Sequence, residues 1–507
     1  MKKAALFFIS IFLMGWATAQ QVYYSQPDNS DGRNLNFEIV GKIDGNYLIY
    51  KNIRNDYAMS IYNSSMDQLD KVDLKMIPER TLSVDFITYP HYTWMVYQFQ
   101  KKNILYCMAA KLDSGAKLLQ DPIVLDTTQI RFLADKKIYT LIHSEDKKQI
   151  MLFKMEKVNN FFNFTTLLFD DSMQLHHISK INSGFQEKKY IFSDFLISNR
   201  GNMVFTAGNR SSSRDFIENL QVVMKAPYTD SFHIMSINLG GRFLDEVKPK
   251  IDNMNMNYLL NSFYYTKKRG NTEGMFTAVI SERNNQLITE TFAKISDSLR
   301  NTIKSKGSDK TALNDYFIRN VVLKNDGGFL LTAEDFYSQS RNSPWNRWDY
   351  LYGSPYFYSP YSYYSPFSYY SPFYFNYYGS PYSFYGDDVR YYYNNILVLS
   401  LDSTGKYEWT NVIGKSQYDD QTDNYLSYAL MITGGQLHFI FNENNRRSYL
   451  LSDRSINGDG DIARVPPMHN LDRGYQFMPR YAKQVSASEM IVPCIYRNII
   501  CFARIQF

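Results

Sequence analysis

An all-β fold is predicted by three features of this 507-residue chain. Short runs of alternating apolar residues recur from end to end, among them FEIVG, NYLIYKN, TWMVYQF, KIYTLIH, GNMVFTAG, GGFLLTAE, NNILVLSL and QLHFIFN. Turn residues separate them about every 8 to 12 positions, the punctuation of strands joined by hairpins. A helical pattern is confined to SDSLRNTIKSKG at 296–307.

The first stretch, MKKAALFFISIFLMGWATAQ, reads as an export leader. Lys2 and Lys3 form its basic start, Ala4 to Gly15 its apolar centre, and Ala17 and Ala19 an A-x-A cleavage site, so residues 1–19 are expected to be a removed signal peptide. An apolar centre of about a dozen residues falls short of the roughly 20 that a bilayer demands. No later run is long and apolar enough, so the expected product is exported, periplasmic or extracellular, with no transmembrane segment. Formal net charge is +5, or +3 without Lys2 and Lys3, and the basic residues are spread along the chain. That spread argues against nucleic acid as a partner.

Two series of turns give the strands their order. Asp44-Gly45, Pro90-His91, Asp135-Lys136, Arg200-Gly201, Asp326-Gly327 and Gly434-Gly435 each precede a strongly apolar strand. Met66-Asp67, Ser114-Gly115, Val158-Asn159, Gly240-Gly241, Thr404-Gly405 and Asn457-Gly458 each follow the next strand, in four units about 22 to 25 residues later. These series describe a four-stranded unit, A to D, with the first turn joining A to B and the second joining C to D. A unit of this kind cannot bury both faces alone, so several must stack around an axis as a β-propeller. Seven units are counted, one of them the less regular NSFYYTKKRGNTEGMFTAVISERNNQLITETFA, and an eighth is allowed. Residues 20–507 are therefore expected to form a single propeller domain. Its last blade would comprise FMPRYAK, EMIVPCIY and IICFARIQF, closed by QQVYYSQ or NFEIVG. Two successive β-sandwiches are the alternative architecture.

The stretch SLDSTGKYEW, with Ser400, Asp402, Gly405 and Trp409, resembles the Asp-box turn of sialidase-like propellers, one residue longer on each side of the glycine. In overall pattern the chain resembles degenerate secreted β-propellers, without the G-H and W-D signature of the WD40 type. An Asp-box is a structural turn, so the resemblance implies no sialidase chemistry. Read physically, Asp402 caps the turn and Gly405, like Gly201, Gly327 and Gly434, supplies backbone freedom. Trp409 is expected to pack between blades.

Turn spacing locates two insertions. Gly201 to Gly240 spans 39 residues and Gly327 to Gly405 spans 78, and both excesses are expected between strands B and C, on one face of the propeller. The first insertion is NRSSSRDFIENLQVVMKAPYTDS. The second, an aromatic low-complexity insertion at 344–393, contains SPYFYSPYSYYSPFSYYSPFYFNYYGSPYSFYG from Ser354 to Gly386. Lengthening a loop from about 4 to about 45 residues costs only about 2 kcal/mol of closure entropy, so the fold tolerates it. No charged side chain occurs from Tyr350 to Gly386, unlike an ordinary disordered linker. Ser-Pro pairs starting at 354, 359, 365, 371 and 380 interrupt any regular ladder and restrain aggregation. Tyrosine offers large amphipathic contacts at low entropy cost. The candidate binding residues are thus Tyr356, Tyr358, Tyr361, Tyr363, Tyr364, Phe367, Tyr369, Tyr370, Phe373, Tyr377, Tyr378, Tyr382 and Tyr385.

Reactive constellations are few. Three cysteines cannot staple the fold. Cys494 and Cys501 face each other if Arg497-Asn498 is a two-residue hairpin turn, which makes them a disulfide candidate, although a hydrogen-bonded pair is the wider-spaced site. Cys107 reads as core. His176 and His177 would point to opposite faces of a strand, a poor chelating arrangement, and no metal or cofactor is expected. DRSINGDGDIA alternates oxygens like a calcium loop, through Asp453, Asn457, Asp459 and Asp461, but carries Arg464 at its twelfth position. The acidic pairs Asp170-Asp171, Asp387-Asp388 and Asp419-Asp420 could serve a glycosidase only if held across a cleft.

The function expected is non-catalytic binding of a protein or glycan partner through the face that carries the long loops. The alternatives are a glycan-active hydrolase using acidic residues on that face, and a surface adhesion protein that self-associates through the tyrosine-rich tract.

Overall fold

A computed structural model of the chain describes residues 20–28, 35–131, 133–134, 137–212, 215–268, 270–305, 313–340, 345, 347–352, 389–420, 422–445, 448–464 and 474–507. Among these residues the fold is a β-propeller of eight four-stranded antiparallel blades. β1 (Gln21–Tyr24) precedes blade 1, made of β2 (Asn36–Ile43), β3 (Asn46–Ile53), β4 (Asp56–Tyr62) and β5 (Gln68–Asp73). Blade 2 holds β6 (Thr81–Thr88), β7 (Thr93–Lys101), β8 (Ile104–Leu112) and β9 (Ile123–Gln129). Blade 3 holds β10 (Tyr139–His143), β11 (Gln149–Val158), β12 (Phe161–Asp170) and β13 (Leu175–Gln186). Blade 4 splits its first strand into β14 (Tyr190–Phe192) and β15 (Leu196–Ile197), followed by β16 (Met203–Arg210), β17 (Ile217–Lys225) and β18 (His233–Ile237). The two-residue β19 (Phe243–Leu244) hooks it to blade 5, made of β20 (Lys248–Asp252), β21 (Asn257–Tyr265), β22 (Gly274–Ser281) and β23 (Leu287–Lys294).

Helix α1 (Asp297–Ser305), within the helical window read from the sequence, leads to blade 6. There β24 (Tyr316–Leu323) and β25 (Phe329–Ser340) precede helix α2 (Arg347–Tyr352), and β26 (Val389–Leu401), β27 (Tyr407–Ile413) and the added β28 (Gln417–Asp419) follow it. Blade 7 is β29 (Tyr428–Thr433), β30 (Gln436–Asn445), β31 (Ser448–Asn457) and β32 (Ile462–Arg464). Blade 8 combines β33 (Gln476–Phe477) and β34 (Lys483–Ser486) with β35 (Glu489–Tyr496) and β36 (Ile499–Gln506), and β1 pairs along β36 as its outer strand. QVYY is thus the closing strand, whereas NFEIVG opens blade 1.

The core lies in the seams between blades, which explains why the second and third strands read as nearly continuous apolar runs. Alternate side chains serve opposite seams. In β3, Tyr47 and Ile49 pack against blade 8, while Leu48 and Tyr50 pack against blade 2. In β11, Ile150 and Leu152 face blade 2, and Met151 and Phe153 face blade 4. One apolar cluster fills every seam from blade 1 to blade 8. A further cluster joins blade 8 back to blade 1, so the ring closes.

Two local expectations are corrected. In blade 3 the strand YTLIH is the first, not the second, and Asn159-Asn160, both left-handed, make the hairpin between β11 and β12. In blade 4, Arg210 pairs with Ile217, so residues 211–216 alone separate the second and third strands. The remaining excess is β17 itself and the 226–232 turn to β18, and Gly240-Gly241 follows the blade. Cys494 and Cys501, the disulfide candidate, face each other across a turn in which Arg497 and Asn498 are left-handed, and both side chains are buried. Their place in the ladder is a hydrogen-bonded pair, where the Cα atoms stand about 5.5 Å apart, within the range that a disulfide spans.

Candidate functional site

The strands flanking residues 341–388 run beyond the rest of blade 6. β25 and β26 pair as far as Ser340 with Val389, and β28 pairs with β26 from Tyr391 opposite Asp419 to Tyr393 opposite Gln417. Strand alternation sorts the tyrosines of this extension. Tyr391 and Tyr393 turn inward and are buried with Phe336. Tyr392 turns outward between its cross-strand partners Tyr337 and Tyr418. The Tyr337 and Tyr392 rings stack at 4.5 Å and 13°, and Tyr418, half exposed, lies 6.3 Å from Tyr392. The Tyr392 hydroxyl donates to Gln339 Oε1 at 3.1 Å. Arg390 lies over the Tyr418 ring at 5.2 Å and pairs with Asp420. The result is a three-ring row with polar edges at the foot of the insertion.

Beneath the row, charged groups fix the platform. Glu334, with no exposed surface, accepts from Arg319 Nε at 3.1 Å and Ser427 Oγ at 2.7 Å and forms an ion pair with Lys415 Nζ at 2.8 Å. Burial alone would raise its carboxyl, but Lys415 and Arg319 outweigh that and hold it below the usual carboxylate range. The Tyr393 hydroxyl donates to Asp423 at 2.9 Å, and Asp423 also pairs with Arg480. Arg319, Lys415 and Arg480 all lie within 5.9 Å of the Tyr393 ring centre.

The chain leading into the tract is equally tied down. Trp345 Nε1 donates to Asp315 at 3.0 Å. Arg347 pairs with Asp245 at 2.9 Å, donates to Asn314 O at 2.9 Å and lies 3.9 Å from the Phe317 ring centre. Trp348 meets Phe216 edge-on at 4.9 Å, and Leu351 is buried against Phe317, Phe336 and Tyr393. Connections of blades 4, 5 and 6 therefore share this end of the propeller, and Phe216 represents the short blade-4 hairpin there.

The sequence-derived candidates disperse. Tyr356, Tyr358, Tyr361, Tyr363, Tyr364, Phe367, Tyr369, Tyr370, Phe373, Tyr377, Tyr378, Tyr382 and Tyr385 lie outside the described residues, as do Asp387, Asp388 and the leader. Asp419 accepts from Thr422 N at 2.9 Å. Asp170 caps a turn at the opposite end, and Asp171 O accepts from Trp94 Nε1 at 2.9 Å. His176 and His177 reach different carboxylates, Asp170 and Asp230, and no cluster of three metal-ligating side chains occurs among the described residues. Asn457 caps its own turn, and Asp453 is buried against His438 at 2.8 Å. Trp409 packs on the blade-7 turn, its Nε1 donating to Gly458 O at 3.0 Å. Among the described residues no helix is long and apolar enough to cross a membrane. Sequence reasoning missed Tyr337, Tyr392 and Tyr418; the alternation in Tyr391-Tyr392-Tyr393 was the available signal.

No family model and no curated protein matches the chain. Solved structures match at low similarity. A prolyl endopeptidase is 8% identical, with a TM-score of 0.41, over 92% of this chain and 55% of its own. An ulvan lyase, a polysaccharide lyase, is 9% identical, with a TM-score of 0.37, over 82% of this chain and 90% of its own. Prolyl oligopeptidase B from Galerina marginata is 8% identical, with a TM-score of 0.40, over 92% of this chain and 56% of its own. The chain thus spans about half the length of the two peptidases.

Proposed function

We propose that this is an exported, non-catalytic propeller that binds a glycan partner through the end carrying the tyrosine-rich insertion. The reading rests on the row Tyr337–Tyr392–Tyr418, brought together by cross-strand pairing at the root of that insertion. Clustered phenol rings with polar rims, the exposed Tyr418 among them, suit ligands that are themselves flat, apolar on one face and edged with hydroxyls. Among the described residues, the paired carboxylates on this end already have partners: Asp420 has Arg390 and Asp419 the Thr422 amide.

The test is a glycan array probed with the whole chain, with a variant lacking 353–388, and with Tyr392→Ala/Tyr418→Ala. Selective retention by the whole chain, lost in both variants while each keeps its melting temperature, is expected. Retention of a purified envelope protein in place of any glycan would shift the reading to a protein partner. Depolymerisation of a bound glycan, abolished by Asp419→Asn or Asp420→Asn, would replace it with the hydrolase.

A further inference from the structure

Blade 7 carries three polar side chains in line beside the β29–β30 hairpin, at the end of the propeller away from the tyrosine row. Thr433 closes β29, His438 lies in β30 and Asp453 in β31. Thr433 pairs with Gln436 and Ile440 with Asp453, so strand alternation puts Thr433, His438 and Asp453 on one face of the blade.

Asp453 Oδ2 lies 2.8 Å from His438 Nδ1, and His438 Nε2 lies 3.0 Å from Thr433 Oγ1. A carboxylate only accepts, so Nδ1 carries the proton and donates it to Asp453. Nε2 is then the bare nitrogen, and the Thr433 hydroxyl donates to it. This is the polarity of a nucleophile, its base and the carboxylate that orients the base. Gln20 Nε2 also donates to Asp453 Oδ2 at 2.6 Å, and the Phe507 ring meets the imidazole edge-on at 4.8 Å. Asp453 is fully buried, yet its Oδ1 has no hydrogen-bond partner among the described residues. A buried network left partly unsatisfied is costlier than apolar packing, so packing alone does not account for it. Thr433, in contrast, is half-buried, and a Cβ at Gly434 or Gly435 would meet nothing within 4 Å. The line therefore runs from an enclosed carboxylate to a hydroxyl beside an open turn.

We infer that Thr433, His438 and Asp453 form a nucleophilic site for small carboxylic esters, with Thr433 Oγ1 as the attacking atom. His438 Nε2 takes the hydroxyl proton as Oγ1 bonds to the carbonyl carbon, and gives it to the alcohol oxygen as the ester C–O bond breaks. Acyl-Thr433 remains. Water then attacks the acyl carbon, its proton passing through Nε2 to Oγ1, and the carboxylic acid leaves. The amides of Gly434 and Gly435, which bond to no acceptor among the described residues, are the donors available to the oxyanion. An open turn favours a small, unhindered acyl group. The site is independent of the partner surface and would confine the non-catalytic character to the tyrosine end.

The whole chain treated with p-nitrophenyl acetate, and separately with a fluorophosphonate, tests this assignment. A burst of nitrophenol followed by slower turnover is expected, with phosphonate on one peptide, the one that contains Thr433, by mass spectrometry. Thr433→Val and His438→Gln should each lower release at least about a hundredfold at an unchanged melting temperature, and Thr433→Ser should retain it. If His438→Gln does not fold, the near-isosteric Thr433→Val decides. No release or labelling by the whole chain, labelling confined to other residues, or undiminished release by folded Thr433→Val would overturn the inference. Equal loss in Thr433→Ser and Thr433→Val would also overturn it.

Discussion

Glu489 Oε2 accepts a hydrogen bond from Lys42 Nζ at 2.7 Å across the seam where blade 8 meets blade 1. Its other oxygen accepts from the Tyr47 hydroxyl at 2.8 Å and Arg504 Nη1 at 2.6 Å, and Ser486 Oγ donates to Oε2 at 2.9 Å. Burial by itself would raise this carboxyl. The donors, Lys42 foremost, overcome that and hold it at about 2. A carboxyl depressed by folding stabilises fully above its unfolded value, about 4.3, and the contribution disappears as the pH falls toward the folded value. Glu489→Gln should therefore lower the urea midpoint at pH 7, with the gap to the native protein narrowing between about pH 5 and 2. A gap independent of pH would exclude Glu489 as the acid-sensitive clasp.

The closing strand makes a second, apolar contribution. Val22 and Tyr24 pack into the blade 7–8 seam, Tyr23 lies under Arg504 at 4.4 Å, and Ser25 N donates to Phe502 O at 2.8 Å. Deleting residues 20–26 would strip the outer edge of β36, and an unpaired edge strand recruits other chains. Size-exclusion chromatography should then show higher oligomers and a lower melting temperature. Val22→Asp, which puts a charge into the seam, should cost about 2 kcal/mol or more. A monomeric, equally stable truncation would show that three strands suffice for the last blade.

Gly405 and Gly45 are both left-handed, at φ +81° and +89°, but differ in surroundings. A Cβ at Gly405 would lie 2.7 Å from Thr277 Cβ of blade 5, whereas at Gly45 it would meet nothing within 4 Å. Gly45→Ala should cost about 1 kcal/mol, and Gly405→Ala at least about 1 kcal/mol more, in thermal melts. Equal costs would mean that the blade 5–6 contact relaxes freely.

Those turns also explain what could be read beforehand. Asp402 Oδ1 accepts from the amides of Thr404 and Lys406 at 2.8 and 3.0 Å. Asn63, Asp113, Asp170 and Asn457 each accept from the amides two and four residues on, closing the corresponding turns of blades 1, 2, 3 and 7. The left-handed residue of this repeat is Gly405 or Gly460 in two blades, but Met66, Ala116 and Met173 in the others. Where the Asx side chain organises the turn, glycine is dispensable at the left-handed position, so turn composition placed these turns in blades 1, 2, 6 and 7 without revealing their common motif. Blade 3 shows the same effect. Its first hairpin turn is held by Ser144 Oγ accepting from Gln149 N at 3.0 Å, with Lys147 left-handed, and nothing in its composition marks it. Gly434 illustrates the converse, since the left-handed residue of its turn is Gly435. The tyrosine row was hidden for another reason: Tyr337 and Tyr418 are distant in sequence, and only the pairing of β25, β26 and β28 brings them together.

Cys107, Cys494 and Cys501 are all buried, and burial raises the thiols of Cys107 and Cys494 well above their ordinary value. Protonated, inaccessible thiols react slowly. An aromatic disulfide reagent should titrate none of the three in the native chain and all three after denaturation without reductant. A deficit of two thiols under the denaturing condition would mean that Cys494 and Cys501 are bridged.

Lys415 and Glu334 allow a structural role to be separated from a catalytic one. Neither side chain reaches solvent, at 1% and 0% exposure, and Lys415 also donates to Gln417 Oε1 at 2.9 Å and Tyr393 O at 3.1 Å. A carboxylate held ionised between two cations is a poor general acid, so its effect should be felt in folding. Breaking a buried pair by removing one partner strands the other, at a cost of about 3 to 5 kcal/mol. Lys415→Met should therefore destabilise strongly in urea unfolding, as should Glu334→Leu. Combined, the two changes should cost less than the sum of the separate ones, because neither charge is left facing its missing partner. Strict additivity would place the stabilisation in the contacts of each residue with Gln417, Ser427 and Arg319 instead. In either case the tyrosine row should loosen with Lys415→Met, since Gln417 and Tyr393 anchor the β28–β26 ladder that carries Tyr418 and Tyr392.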